Sequence, residues 1–357
     1  MLFDLSPKNR KEDFFNFEKE LNELIDALRN PMVRMIAVKG LRRTGKSSLV
    51  RVALGISGLP YAIVDLREFT RITPTMFRRK LNELLVDSYM ELSKRFKLPI
   101  EIEKVSLFGV TLKRKRRMEY RRALRAINEL VIKKKTRFVL VVDEAQECKK
   151  FGFDEYLAFV YDNLEGIVIL LTGSQIGIFE KMLENPESPL FGREYLEIKT
   201  RRLTNDEAKE FLRMGFSEAK INISEELIDK IVSELDGVIG WLNHYGWYFC
   251  QYKKHKEALA RARRRALALA KKELRNFLKT RGTGEDPYKL ILGALAIEPM
   301  RWKDIKEYLE IKLKREIPNN LISKYLRNLT DYGFITKEGR YYKIPDPITR
   351  RASRRLT

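Results

Sequence analysis

The stretch "MIAVKGLRRTGKSSLV" at residues 35–50 constrains this chain more than any other. An apolar run leads into a loop opened by Gly40 and closed by Gly45, and the chain then turns apolar again. Residues 40–47 fit G-x-x-x-x-G-K-[ST] at every fixed position. The glycines let the backbone curl so that successive N–H groups point inward at phosphate oxygens. The helix that follows adds the positive end of its dipole. Lys46 would then face the β- and γ-phosphates and Ser47 would ligate Mg²⁺. The alternative is a Gly-rich turn beside an exposed lysine, and the strand-before, helix-after context argues against it. The contact set read from this loop is Gly40, Arg43, Thr44, Gly45, Lys46, Ser47 and Ser48.

Short apolar runs recur at 33–38, 61–65, 138–143, 167–172 and 195–199. Their near-continuous apolar character suits strands buried on both faces of a parallel sheet. Amphipathic segments at 46–54, 75–97, 116–134 and 151–164 separate them, and residues 14–29 place Phe14, Leu21, Leu24, Ile25 and Leu28 at helical spacing. Such alternation implies a doubly wound α/β unit. After Lys199 the strand signals stop. Thr204 and Glu207 form a capping box, and helical patterns continue to about residue 280. A Gly/Pro-bearing linker, "KTRGTGEDP", comes next. Helices are then expected near 288–297, 302–310 and 319–331, followed by a hairpin in "FITKEGRYYKI" around Glu338-Gly339. Three helices and a hairpin in that order suggest a winged helix. The expected division is a P-loop core at 1–200, a helical lid at 201–282 and a winged helix at 283–357.

Net charge is +22, with 34% charged and 44% hydrophobic residues, so the chain is globular rather than disordered. A balance this basic favours polyanions such as nucleic acid. A heat-adapted source would give a similar balance, and the scarcity of glutamine (Gln146, Gln175 and Gln251) fits one. Cys148 and Cys250 allow neither a disulfide framework nor a zinc site, which points to a reducing, cytoplasmic interior. The N-terminus lacks a signal-peptide core, and runs such as "IVILL" are too short to span a bilayer.

Three further stretches carry candidate chemistry. In "RFVLVVDEAQE", Asp143 and Glu144 follow an apolar strand, at the edge where open α/β sheets bind ligands. Asp143 would hold the Mg²⁺ shell, and Glu144 would act as base toward the attacking water. Acidic pairs after strands also serve as helix caps. In "IVILLTGSQ", Ser174 is the first choice and Thr172 the second for contact with the γ-phosphate and the water; either could instead be an N-cap. In "SPLFGREY", Arg193 could neutralise transition-state charge in cis or across a subunit boundary, or be a plain surface arginine.

Together these residues resemble the archaeal ATPase family, in the AAA+ branch of P-loop proteins and the signal-transducing STAND group. The resemblance is carried by the loop at 40–47, "VVDEAQ", "LTGS", "PLFGR", "DGVIGWL" at 236–242 and "IPDP" at 344–347. It implies a five-stranded parallel sheet of order 5-1-4-3-2, an α-helical lid and a winged helix. It also implies an ATP/ADP- and Mg²⁺-dependent molecular switch rather than a metabolic kinase. From the lid it implies nucleotide contacts at Gly237 and Ile239. Two departures stand out. Ile239 sits where relatives carry the proline of Gly-x-Pro, and Phe17 replaces the arginine of Arg-Glu-x-Glu-Leu.

The first function these features suggest is an ATP-operated switch, with turnover slow until an arginine arrives from another subunit. The second is an initiator-like or regulatory ATPase that binds DNA. In "NNLISKYLRNLTDYG", Leu321, Ile322, Tyr325, Leu326 and Leu329 form an apolar stripe, while Asn319, Asn320, Ser323, Lys324 and Arg327 face outward. The tail "TRRASRR" adds Arg350, Arg351, Arg354 and Arg355. Such a module can equally pack on the lid and serve protein contacts. A small-molecule kinase would need an acceptor pocket and a lid arginine cluster, and a helicase-like motor a second core domain; none is identifiable. The partners left open are DNA, a protein and a second copy of the chain, with no membrane.

Overall fold

The computed structural model describes residues 1–69, 72–97, 119–354 and 356. Its sheet follows from the apolar runs. Strands β1 (Met35–Lys39), β2 (Tyr61–Asp65), β3 (Phe138–Asp143), β4 (Ile167–Gly173) and β5 (Leu196–Lys199) pair in parallel in the order 2-3-4-1-5. Read from the other edge, this is the expected 5-1-4-3-2. Side chains alternate along each strand, so both faces must be covered. Ile36 and Val38 pack with α1 (Glu18–Arg29) and α2 (Lys46–Ser57). Met35 and Ala37 pack with α3 (Pro74–Arg95), α4 (Glu119–Lys133), α5 (Phe153–Asn163) and α6 (Ile176–Glu184). Residues 116–118 of the expected fourth helix lie outside the described residues. Asp65 pairs with Asp143, and Lys39 with Gly173, so β1 to β4 end along one edge.

Helix α1 starts later than its apolar spacing suggests. Asn16 and Phe17 are left-handed (φ 61° and 64°), and the Phe17 amide donates to the Asn16 side chain at 2.6 Å. Phe14 therefore precedes the helix instead of lying on its face.

Beyond β5 come α7 (Asn205–Glu218), α8 (Glu225–Leu235), α9 (Ile239–Tyr252) and the long α10 (His255–Lys279). The Thr204–Glu207 capping box opens α7. The expected linker shrinks to a short turn, since α11 (Glu285–Leu295) already begins within it. Thr280 donates to the Phe277 carbonyl, and the Phe277 ring lies 5.3 Å from Tyr288, locking the turn. Next are β6 (Met300–Arg301), α12 (Trp302–Leu313), α13 (Asn319–Asp331), β7 (Thr336–Glu338), β8 (Tyr341–Lys343) and α14 (Pro347–Ser353). The hairpin gains β6 as a third, antiparallel strand, completing a winged helix.

One apolar core runs through lid and winged helix alike, from Phe211 and Trp241 to Ile322 and Leu329. The basic tail is part of this packing rather than a free arm. Arg351 pairs with Glu234 at 2.7 Å, and Arg354 donates to the Ala296 carbonyl at 3.1 Å. Arg350 is exposed, and Arg355 lies outside the described residues. Among the described residues no helix is long and apolar enough to cross a membrane.

The first residues reach across to this second core. Phe3 is buried, with ring centroids 4.9 Å from Phe216 and 5.7 Å from Phe211. A Cβ added at Gly215 or Gly246 would stand 2.3 Å from its ring, so two glycines make its socket. Phe3→Ala should therefore cost about 3–5 kcal/mol. Urea unfolding followed by circular dichroism measures this, and an unchanged midpoint would show that the arm is not docked in solution.

Candidate nucleotide site

Glycine at position 40 is required by packing. A Cβ there would stand 2.1 Å from Thr200 Oγ1, which itself hydrogen-bonds Thr44 Oγ1 at 2.7 Å. Glycine at 45 is required by backbone conformation, because φ is 95° where the loop turns into α2. Lys46 is 8% exposed, and its Nζ donates to the Gly40 and Leu41 carbonyls, each at 2.8 Å. Burial pulls its pKa down to about 8, while Glu144 and Asp143 oppose that shift. Ser47 lines the same cleft, and Ser48 Oγ accepts from the Lys8 amide at 3.1 Å.

The carboxylates arrive from the ends of neighbouring strands. Asp143 Oδ1 accepts from the Glu144 amide at 3.0 Å and from the Thr172 hydroxyl, and Oδ2 accepts from Arg67 at 2.8 Å. Arg67 also holds Asp65 at 2.7 Å, bridging the ends of β2 and β3. Glu144 is left-handed (φ 55°, ψ 48°), a conformation costing a non-glycine residue roughly 1–2 kcal/mol. Its Oε2 accepts from Ser174 Oγ at 2.8 Å and from Gln146 Nε2. The two candidates thus divide: Thr172, on β4, faces Asp143, and Ser174, just past its end, faces Glu144.

Gly45, Lys46, Ser47, Ser48, Asp143 and Glu144 line a cleft of about 700 Å³ between sheet edge and lid, whereas Gly40, Thr44 and Thr172 stand behind its wall. Phe14, Phe15, Phe17 and Ile239 give it apolar lining suited to a base, and Arg43 and Ser174 also line it. Gly237 stands outside the lining. It packs where a Cβ would meet the Leu203 carbonyl at 1.8 Å, so it sets how the lid leaves the core. Arg193 is not brought to the cleft within this chain. It precedes β5, whose Leu196 pairs with Ile36 near the start of β1, and so sits toward the opposite edge of the sheet. There it donates to Asp162 at 2.9 Å.

The hard oxygens of Ser47 and Asp143 suit Mg²⁺, which takes few protein ligands and completes its shell with phosphate and water. Among the described residues no group of three His, Cys, Asp or Glu side chains could hold a metal by itself.

Sequence reading missed how the loop is attached. Arg43 Nη2 donates to Glu273 on α10 at 2.7 Å, and its guanidinium lies 4.2 Å from the Trp241 ring centroid. The Gly240 amide donates to the Arg43 carbonyl at 3.1 Å, and a Cβ at Gly240 would stand 2.7 Å from Arg43 Cβ. Trp241 Nε1 in turn donates to Asp346 of "IPDP" at 3.3 Å. Arg42 Nη1 donates to the Tyr332 carbonyl at 3.3 Å, and Asp331 pairs with Lys181 of α6. The loop is thus tied to lid and winged helix together. Motif templates leave these loop positions free, and only the pairing of "DGVIGWL" with "RR" could have hinted at it.

Residues 14–244 match the family model of an ATPase domain predominantly from Archaea, and residues 285–345 that of the MCM protein C-terminal winged helix-turn-helix domain. Among solved structures, a Walker-type ATPase of Pyrococcus abyssi superposes with a TM-score of 0.84 at 30% identity, covering 99% of this chain and 100% of that one. The Aeropyrum pernix ORC2 protein, solved as ADPNP–ADP complexes, gives 0.59 at 12% identity over 99% of this chain and 95% of that one. At such identity the second likeness speaks for the fold alone. No curated protein matches the chain.

Proposed function

The chain belongs to the ATPase family found predominantly in Archaea, and we propose that it is a switch of the STAND type. In this reading ATP binds at the loop, hydrolysis is slow, and the nucleotide state sets the position of the winged helix. The units are the core at 1–200, the lid at 201–282 and the winged helix at 283–357. The observation that carries it is the double attachment of the loop, through Arg43 to Glu273 and Trp241 and through Arg42 to Tyr332. A triphosphate in the loop would compete for these arginines, and that competition has a direct route to the winged helix.

The chemistry assigned to the residues is simple. Lys46 neutralises the phosphates. Glu144, held by Ser174 and Gln146, takes the proton of the attacking water. Ser47 and Asp143 would hold Mg²⁺, which supplies charge neutralisation at the phosphates. Among the described residues no lid arginine lines the cleft, and Arg193 is occupied by Asp162. In this reading the cleft's own arginines, Arg42, Arg43 and Arg67, are engaged by the protein, and a cation from a partner or second copy would raise a slow turnover.

Glu273→Ala tests the coupling, because it removes the acceptor shared by both arginines. ATP should still bind. Hydrogen exchange at residues 331–334 should differ between ADP and an ATP analogue in the native protein. The variant should lose most of that difference, the coupling being worth about 1–3 kcal/mol. Identical exchange in both nucleotide states of the native protein would contradict the reading.

A second reading, DNA contact through the winged helix, is favoured by Lys324 and Arg327. Both are exposed on α13 and lack a carboxylate partner among the described residues. The duplex-binding experiment below includes their replacement.

A further inference from the structure

The long lid helix α10 has two faces with opposite tasks. Ala262, Ala266, Ala270, Leu274 and Phe277 are buried, and Glu273 reaches the loop arginines. At 3.6 residues per turn, Arg261, Arg264, Arg265, Lys271, Lys272, Arg275 and Lys279 fall within an arc of about 120° on the side opposite the buried one. All are exposed except Lys271, which is half-buried. From Arg261 to Lys279 the arc runs about 27 Å along the helix. Arg261 pairs with Glu257 at 2.9 Å; the other six have no carboxylate within ion-pair distance among the described residues. A solvated helix face usually mixes signs, with i,i+4 pairs of opposite charge. Here the cations repel one another, a cost that a polyanion would remove.

We infer that this face of α10 is a binding surface for the phosphate backbone of duplex DNA, separate from the winged helix. Three features select that partner. The residues are cations and alanine, spread along the helix rather than gathered at one end, which suits a row of phosphate contacts more than the readout of base edges. Between residues 261 and 279 the arc carries no aromatic side chain; the nearest exposed one, Tyr252, lies against Arg261 at 4.1 Å and marks one end of the face only, so single-stranded bases would find no run of stacking platforms along it. The apolar face of the helix is spent on the lid core, leaving no wedge to enter a lipid interface. The surface does not depend on nucleotide binding at the loop, so it can fail or stand apart from the switch reading.

The test is anisotropy with a labelled duplex of roughly 30 base pairs, titrated with the full chain between about 50 and 200 mM salt. Arg264→Ala, Arg265→Ala, Lys272→Ala and Arg275→Ala combined should weaken binding on the order of 100-fold and flatten the log–log salt slope by about 3–4. Replacing Arg264, Arg265 and Arg275 by lysine should leave both near native values. A footprint on the unmodified protein guards against a folding defect: saturating duplex should protect Lys271, Lys272 and Lys279 from acetylation. Native slope in the alanine variant, or unprotected lysines, would overturn the inference. So would complete loss of binding in Lys324→Ala/Arg327→Ala alone, which would assign the duplex to the winged helix. Tighter binding to a single strand, or to phosphatidylserine vesicles, would also overturn it.

Discussion

Lys46→Ala should abolish ATP binding at concentrations that saturate the native protein. The ammonium is buried at the end of the loop, with the carbonyls of Gly40 and Leu41 as its hydrogen-bond partners. Truncating one partner of a buried charge pair costs about 2–5 kcal/mol, a loss of roughly 30- to several-thousand-fold. Titration with a fluorescent ATP analogue measures it, and native affinity in the variant would remove the loop from the account. A pH signature should accompany the native protein. Burial lowers the Lys46 pKa to about 8, and phosphate oxygens in the complex would raise it. Below pH 8 the free lysine already carries its proton. Above it, binding must take one up, so affinity should fall by up to about tenfold per pH unit.

Glu144→Gln should leave ATP affinity within a few-fold of native and slow single-turnover hydrolysis by about 10²–10⁴. The amide oxygen can still accept from Ser174 and Gln146, the two groups that hold the carboxylate in place. What it loses is basicity toward water. The backbone remains left-handed at this position in either case, so the substitution adds no new strain. Hydrolysis at the native rate would take Glu144 out of the proton-transfer role.

The sheet was legible because its strands are buried on both faces and so must be apolar throughout. The loop was legible because phosphate binding needs glycines at fixed spacing. Arg193 shows where such reading stops. It lies next to a strand of the sheet in sequence, but residues just before a parallel strand sit at the edge away from the ligand. The double role of Arg42 and Arg43 was hidden because their partners, Glu273 and Tyr332, are 230 and 290 residues away. The docking of Phe3 was hidden likewise, since it depends on the absence of side chains at Gly215 and Gly246. The tail arginines read as a basic patch until the fold set Arg351 against Glu234. Charge composition reports a total, whereas pairing decides which cations remain available.

If the protein is the proposed switch, nucleotide state repositions the winged helix against the core. The most direct measurement is a spin-label distance between Glu155→Cys on α5 and Lys337→Cys on β7, with Cys250 replaced by alanine. Both labelled positions are exposed, and the remaining Cys148 is buried. One distance distribution is expected with ADP, a displaced one with a non-hydrolysable ATP analogue, and collapse of the difference in Glu273→Ala. Superimposable distributions for the two nucleotides, each at saturation in the native background, would contradict it.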